Sequence, residues 1–83
     1  MIIWSAGLIT INFFMRKFGQ RLTELREEKE LSKLALSKAL KISNSTIGRW
    51  ERSEQDIASD YLIKLADFFD VTIDYLVGRT GEY

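Results

Sequence analysis

The chain contains no cysteine, no histidine and no proline among its 83 residues. Without cysteine, neither disulfides nor thiolate metal sites can form. Without histidine or cysteine, the common pairings of a nucleophile with a base are missing, and the carboxylates show no recognisable catalytic spacing. The sequence therefore predicts a protein that is not an enzyme and that uses no metal, cofactor or small-molecule substrate.

Length and charge further restrict the number of domains and the class of binding partner. A chain of 83 residues has room for one small core. Its net charge is zero, yet residues 16–52 hold ten Lys/Arg and five Glu, whereas residues 53–83 hold two Lys/Arg and seven Asp/Glu. A domain polarised in this way can turn its basic side toward phosphates, so zero net charge does not exclude a nucleic acid. The alternative is that both faces are merely solvated.

Residues 31–52, LSKLALSKALKISNSTIGRWER, are typical of two short amphipathic helices joined by a tight turn. Ser32 and Ser43 stand where the N-cap of each helix belongs, because a serine hydroxyl can accept a hydrogen bond from an otherwise unpaired N–H group. The pattern predicts a helix-turn-helix.

The inner and outer faces of these two helices follow from the helical period. The predicted inner faces consist of Leu36, Ala39, Leu40, Ile47 and Trp50. The predicted outer face of the second helix consists of Asn44, Ser45, Gly48 and Arg49. Amides, hydroxyls and a guanidinium suit the edges of nucleic-acid bases.

Three more helices complete an all-α prediction. Phe18, Leu22 and Leu25 form one apolar stripe before the pair. A second apolar stripe follows the helix pair and consists of Leu62, Leu65, Ala66 and Phe69. Ser59 or Asp60 is the expected N-cap of this helix. A last short helix is expected to start at Thr72, end at Gly78, and close the core with Ile73, Leu76 and Val77.

The ordered segments FGQRLTELREEKELSK, ISNSTIGRWER and YLIKLADFFDVTIDYLVG resemble the phage-repressor and Cro type of helix-turn-helix domain, also called the xenobiotic-response-element regulator family. The resemblance covers residues 16–79 and leaves an apolar extension, 1–15, and a tail, 80–83. It implies a five-helix, lambda-repressor-like DNA-binding domain in a cytoplasmic transcriptional regulator. Such proteins most often repress transcription and bind a two-fold operator in double-stranded DNA as homodimers.

The resemblance also assigns DNA contacts to individual positions. The base-facing positions are Asn44, Ser45, Gly48 and Arg49, and those nearer the sugar-phosphate backbone are Thr46 and Arg52. Lys33 stands where a glutamine often contacts both backbone and base, and a lysine there suits phosphate better. Arg49 suits guanine, which accepts two hydrogen bonds at O6 and N7, and Asn44 suits adenine. For each residue the alternative is that it only keeps the helix soluble.

Arg26 and Glu51 match positions that form a partly buried ion pair in this family. The resemblance gives them a structural role, tying the first helix to the end of the third, rather than a DNA contact. Removing one partner would leave a buried charge unpaired.

Three departures from the family pattern carry expectations. Lys41 and Ser53 stand where glycine is common, so each is expected to adopt a positive φ. The loop at residues 53–56, SEQD, is acidic where many family members carry Lys or Arg that hold phosphate. The affinity for the DNA backbone is therefore expected to be modest.

Residues 1–15 lie outside the resemblance. The uncharged run MIIWSAGLITINFF is shorter than the roughly 20 apolar residues that span a bilayer, and it lacks the basic start and cleavage site of a secretory signal, so no membrane role is expected. Alternation at residues 9–13 favours a strand that pairs with its copy in a dimer. Alternatively, translation starts at Met15 and the extension is an upstream addition.

Two interpretations remain open. The first is the DNA-binding regulator. The second is a protein-interaction module of the same fold, such as an antitoxin-like or co-regulator subunit, supported by the acidic loop and zero net charge.

A dimer surface is expected near Tyr75, Leu76 and Tyr83 by family analogy, or in residues 2–14 by composition.

Overall fold

A computed structural model of the chain describes residues 16–82. Within this range the chain forms five helices and no strand, which confirms the all-α prediction. The helices are α1 (residues 16–28), α2 (Lys33–Leu40), α3 (Asn44–Glu51), α4 (Ser59–Phe69) and α5 (Ile73–Leu76). The strand or dimerisation arm predicted in residues 1–15 lies outside the described residues.

The core forms around Trp50, whose side chain is 1% exposed. The ring of Phe18 on α1 meets the indole edge-on at 6.1 Å between centroids, and the ring of Tyr61 on α4 lies at 5.7 Å. Phe18, Leu22 and Leu25 are all buried, so the predicted stripe of α1 is confirmed. Burial of one face of each helix against this aromatic centre is the main stabilising term, because apolar burial drives folding.

Two short helices begin at the predicted caps. The Ser32 hydroxyl accepts a hydrogen bond from the Ala35 N–H at 3.0 Å, and the Ser43 hydroxyl accepts one from the Thr46 N–H at 3.4 Å. The prediction for α4 is wrong: Ala58 is its N-cap, with no side-chain hydrogen bond, and Ser59 is already helical.

The C-terminal helix, α5, also differs from the prediction. Thr72 is the N-cap of α5 rather than its first residue, and its hydroxyl accepts a hydrogen bond from the Tyr75 N–H at 3.0 Å. Leu76 is fully buried, but Ile73 remains 39% exposed and does not close the core. Ala39 in α2 is also exposed, whereas Leu36 and Leu40 of the same predicted face are buried.

Two residues named for the expected dimer surface, Tyr75 and Leu76, have buried side chains, and a dimer surface around them stays a prediction. Tyr75 is 8% exposed and Leu76 is fully buried. The Arg21 guanidinium lies 4.1 Å from the Tyr75 ring centroid, and its Nη1 donates to the Tyr75 carbonyl at 2.6 Å. The side chains of Tyr75 and Leu76 therefore pack within the fold of a single chain. Tyr83 and residues 2–14 lie outside the described part of the chain.

Two turns between helices contain a residue other than glycine in the left-handed backbone conformation. Lys41 has φ 57° and Ser53 has φ 61°, which confirms the positive φ expected at both. The Lys41 N–H donates to the Ser37 carbonyl and closes the end of α2. Such conformations cost free energy for any residue with a Cβ, so the surrounding contacts hold them in place.

The described residues include no helix that is both long enough and apolar enough to cross a membrane.

Candidate nucleic-acid interface

The helix α3 has one buried face and one exposed face. Ile47 is fully buried and Trp50 nearly so, which confirms their assignment to the core. Asn44, Ser45 and Arg49 are exposed, as predicted. Because the buried face fixes the rotation of α3 about its axis, the polar side chains have a defined direction away from the core.

Gly48 is buried, which corrects the expectation that it faces outward. The reason is the side chain of Arg52: a Cβ built on Gly48 would lie 3.1 Å from the Arg52 Nη1 atom. The guanidinium thus covers the backbone of α3 at this point. A DNA contact at Gly48 remains a prediction, and it requires the Arg52 side chain to move aside.

The two arginines near the end of α3 contact the loop that follows. The Arg49 Nε donates to the Gln55 Oε1 at 2.7 Å, and the Arg52 Nε lies 3.1 Å from the Glu54 Oε1. The side chains of Arg52 and Glu54 are 53% and 54% exposed, so water screens this ion pair and its contribution to stability is small. The acidic loop therefore reduces the positive charge of this surface.

The remaining predicted contacts lie at the starts of two helices. Lys33 is the first residue of α2 and is half-buried. Thr46, also half-buried, stands in the first turn of α3. The N–H groups that the serine caps leave unpaired in the first turn of each helix attract phosphate oxygens, so both residues stand where contacts to the sugar-phosphate backbone are favoured.

The turn between α2 and α3 is held by side chains that the sequence interpretation missed. The Ser37 hydroxyl donates to the Ile42 carbonyl, and the Lys64 Nζ donates to the Leu40 carbonyl at 3.0 Å. The bond from Lys64 satisfies a carbonyl group that the end of α2 leaves unpaired, and the bond from Ser37 ties the turn after it to α2. Lys64 belongs to α4, far along the chain, so no local pattern could reveal its role.

The ion pair between Arg26 and Glu51 is confirmed and is bidentate. The Arg26 Nε lies 2.7 Å from Glu51 Oε2, and its Nη2 lies 3.1 Å from Glu51 Oε1. The side chains are only 12% and 5% exposed. The hydrogen bond to Glu51 raises the pKa of Arg26 above its ordinary value, despite the opposing effect of burial. The Arg26 Nη1 also donates to the Leu31 carbonyl at 2.7 Å, which joins α1, the start of α2 and the end of α3.

A two-helix unit with a capped turn, a buried Trp50 and an exposed polar face on its second helix defines the helix-turn-helix class. The helix-turn-helix family model matches residues 22–76. The chain belongs to this family, in its Cro/C1 type.

Relatives and a solved structure agree with this class. The chain is 33% identical over 61 residues to the HTH-type transcriptional regulator ImmR of Bacillus subtilis, a match over 74% of the chain and 48% of the relative. It is 41% identical over 62 residues to the HTH-type transcriptional regulator AnsR of Bacillus subtilis, over 75% of the chain and 53% of the relative. The chain thus spans about half the length of these two relatives.

The crystal structure of the restriction-modification controller protein C.AhdI from Aeromonas hydrophila is also similar. The TM-score is 0.68 at 35% sequence identity, over 75% of this chain and 94% of that protein.

Proposed function

We propose that the chain is a sequence-specific regulator of transcription that binds double-stranded DNA in the cytoplasm, as a homodimer, and acts as a repressor. The observation that carries the proposal is the exposed polar face of α3, with Asn44, Ser45 and Arg49 opposite the buried Ile47 and Trp50. Family membership and relatives that are called transcriptional regulators support it.

The proposed mechanism places α3 in the major groove, which is about 12 Å wide and accepts one helix. Arg49 donates two hydrogen bonds to guanine O6 and N7, and Asn44 pairs with adenine. Lys33, Thr46, Arg52 and the N–H groups that begin α2 and α3 contact phosphates. Phosphate contacts fix the position of the domain on the duplex, and base contacts select the sequence.

Substituting Arg49→Ala tests this assignment. The duplex is first selected by the unaltered chain from random double-stranded DNA, and affinities are then measured for single-base variants of it. We expect the variant to lose its base preference at one base pair per half-site, because a bidentate arginine is removed. The free energy of discrimination against the wrong base should fall by about 1–3 kcal/mol there.

Lys33→Ala is the matched control for Arg49→Ala. Loss of a phosphate contact in each protomer should weaken binding to all duplexes equally and lower the salt slope by about 0.9 per half-site, or about 1.8 for the dimer. Unchanged base preference in Arg49→Ala would contradict the proposed readout.

The homodimer follows from the small size of one α3 footprint. One helix reads too few base pairs to distinguish an operator from competing genomic sites. Two copies related by a two-fold axis place their recognition helices about 34 Å apart, on successive major-groove faces. The selected duplex should therefore contain two half-sites about ten base pairs apart.

A second candidate is a protein-interaction module of the same fold. The observation that favours it is the partnering of Arg52 by Glu54, which lowers the positive charge at the end of α3. Such a module would select no DNA duplex. A DNA-binding domain, in contrast, releases counterions when it binds, so its affinity for DNA falls as salt is raised.

A further inference from the structure

Gln55 is the residue that holds Arg49. The Arg49 Nε donates to the Gln55 Oε1 at 2.7 Å, across the turn that ends α3. A guanidinium has five N–H donors in a rigid plane, and this bond uses only the one on Nε. The two terminal nitrogens, the pair that matches guanine O6 and N7 in an end-on approach, remain available to a ligand.

The loop around Gln55 is fixed to α3 on both sides. The Glu54 N–H donates to the Arg49 carbonyl at 2.8 Å, and the buried Trp50 donates from Nε1 to the Asp56 carbonyl at 3.3 Å. Because Trp50 belongs to the core, the position of the loop is set by the packing of the domain. The Gln55 amide is therefore an acceptor at a defined place relative to α3.

We propose that Gln55 is a positioning and specificity-determining residue, which orients the Arg49 guanidinium for guanine before DNA arrives. The inference rests on the proposed function. An exposed arginine has many rotamers, and ordering it on binding weakens the complex. A bond at Nε restricts both the plane and the direction of the terminal donors, so part of that ordering is complete in the free protein.

The chemistry of the acceptor supports this role. An amide oxygen orients the guanidinium without neutralising it, and it adds no negative charge near phosphates. The neighbouring Arg52 differs, because its partner is the Glu54 carboxylate at 3.1 Å. The loop therefore gives a neutral partner to the arginine proposed to read a base and an acidic partner to the one proposed to lie near the backbone.

Gln55 is also free of a core-packing role. It is half-buried and lines an open groove of about 350 Å³ beside Thr46 and Trp50. Replacing it leaves no enclosed cavity, so its effect on DNA readout separates from any effect on folding.

The test compares Gln55→Met, which keeps the length but removes the acceptor, with Gln55→Glu, which keeps an acceptor. Each is measured on the selected duplex and on its single-base variants. We expect Gln55→Met to lower discrimination roughly three- to fivefold at the base pair that Arg49 reads, with other base pairs, the melting temperature and the salt slope unchanged. Gln55→Glu should keep that discrimination while binding all duplexes more weakly.

Glu54→Gln is the matched control on the same loop and should leave base discrimination unchanged. In the Arg49→Ala background, Gln55→Met should have no further effect on discrimination, since it acts through that side chain. Retained discrimination in Gln55→Met, a uniform loss over all base pairs, or an additive loss in the Arg49→Ala background would each overturn the inference.

The experiment also separates this inference from the function beneath it. If Arg49→Ala loses base preference and Gln55→Met does not, only the role of Gln55 is overturned. If Arg49→Ala itself keeps its base preference, both the readout and the role of Gln55 are overturned.

Discussion

Replacing Glu51 by alanine is expected to lower the free energy of unfolding by about 3 kcal/mol, because it leaves the Arg26 guanidinium without its partner in a site where that side chain is 12% exposed. Arg26 also loses two hydrogen bonds at once, at 2.7 and 3.1 Å. The expected result is a large drop in melting temperature and in the midpoint of urea unfolding. Because α3 is tied to α1 through this pair, DNA affinity should fall as well.

The control for Glu51→Ala is Arg52→Ala. Arg52 is one residue away, but its ion pair with Glu54 is about half exposed, so its loss should change the free energy of unfolding by less than about 1 kcal/mol. Equal shifts in melting temperature for the two variants would contradict the account of the buried pair.

The effect of Glu51→Ala should not depend on the titration of Arg26 around neutral pH. Because the folded-state pKa of Arg26 is raised above its ordinary value, the stability that its charge gives is complete at neutral pH and is lost only in strongly alkaline solution, as pH rises past that pKa.

Substituting Gly19→Ala is expected to destabilise the domain by about 2 kcal/mol, although alanine is the better helix former. Gly19 lies inside α1, where it packs against the end of α3. An added Cβ would lie 2.6 Å from the Trp50 carbonyl oxygen and 2.8 Å from that of Glu51. Both obstacles are backbone atoms of α3, so one helix must shift to admit the methyl group.

Gly48→Ala provides the matched control for Gly19→Ala in urea unfolding. The Cβ at Gly48 would meet only the flexible end of Arg52, at 3.1 Å from Nη1, which can move aside. That variant should be as stable as the parent or more stable by up to about 1 kcal/mol, the ordinary helix-propensity gain. Stabilisation by Gly19→Ala would show that α1 and α3 do not approach as closely as described.

The sequence predicted those features of the fold that depend on local chemistry. Serine caps, the stripe at Phe18, Leu22 and Leu25, and the burial of Trp50 follow from helix geometry and from hydrogen-bonding capacity. The positive φ at Lys41 and the Arg26–Glu51 pair were inferred from the family resemblance. All of these are confirmed.

Features that depend on distant neighbours could not be predicted. Ala39 and Ile73 lie on apolar stripes but are exposed within residues 16–82, and a helical period does not say which apolar residues a neighbouring helix covers. Gly48 is covered by a rotamer of Arg52, which a sequence does not specify. The Gln55 contact depends on the path of a loop whose position is set by Trp50.

Whether α3 binds duplex DNA is best measured by the affinity of the unaltered chain for its selected duplex as salt is raised. We expect the logarithm of the association constant to fall linearly with the logarithm of the salt concentration, with a slope of about −0.9 for each phosphate neutralised. If Lys33 and Arg52 of both protomers each neutralise one phosphate, the slope is about −3.6 and the affinity should fall roughly 150-fold between about 50 and 200 mM salt. An affinity that stays constant over this range would contradict the account and favour the protein-interaction module.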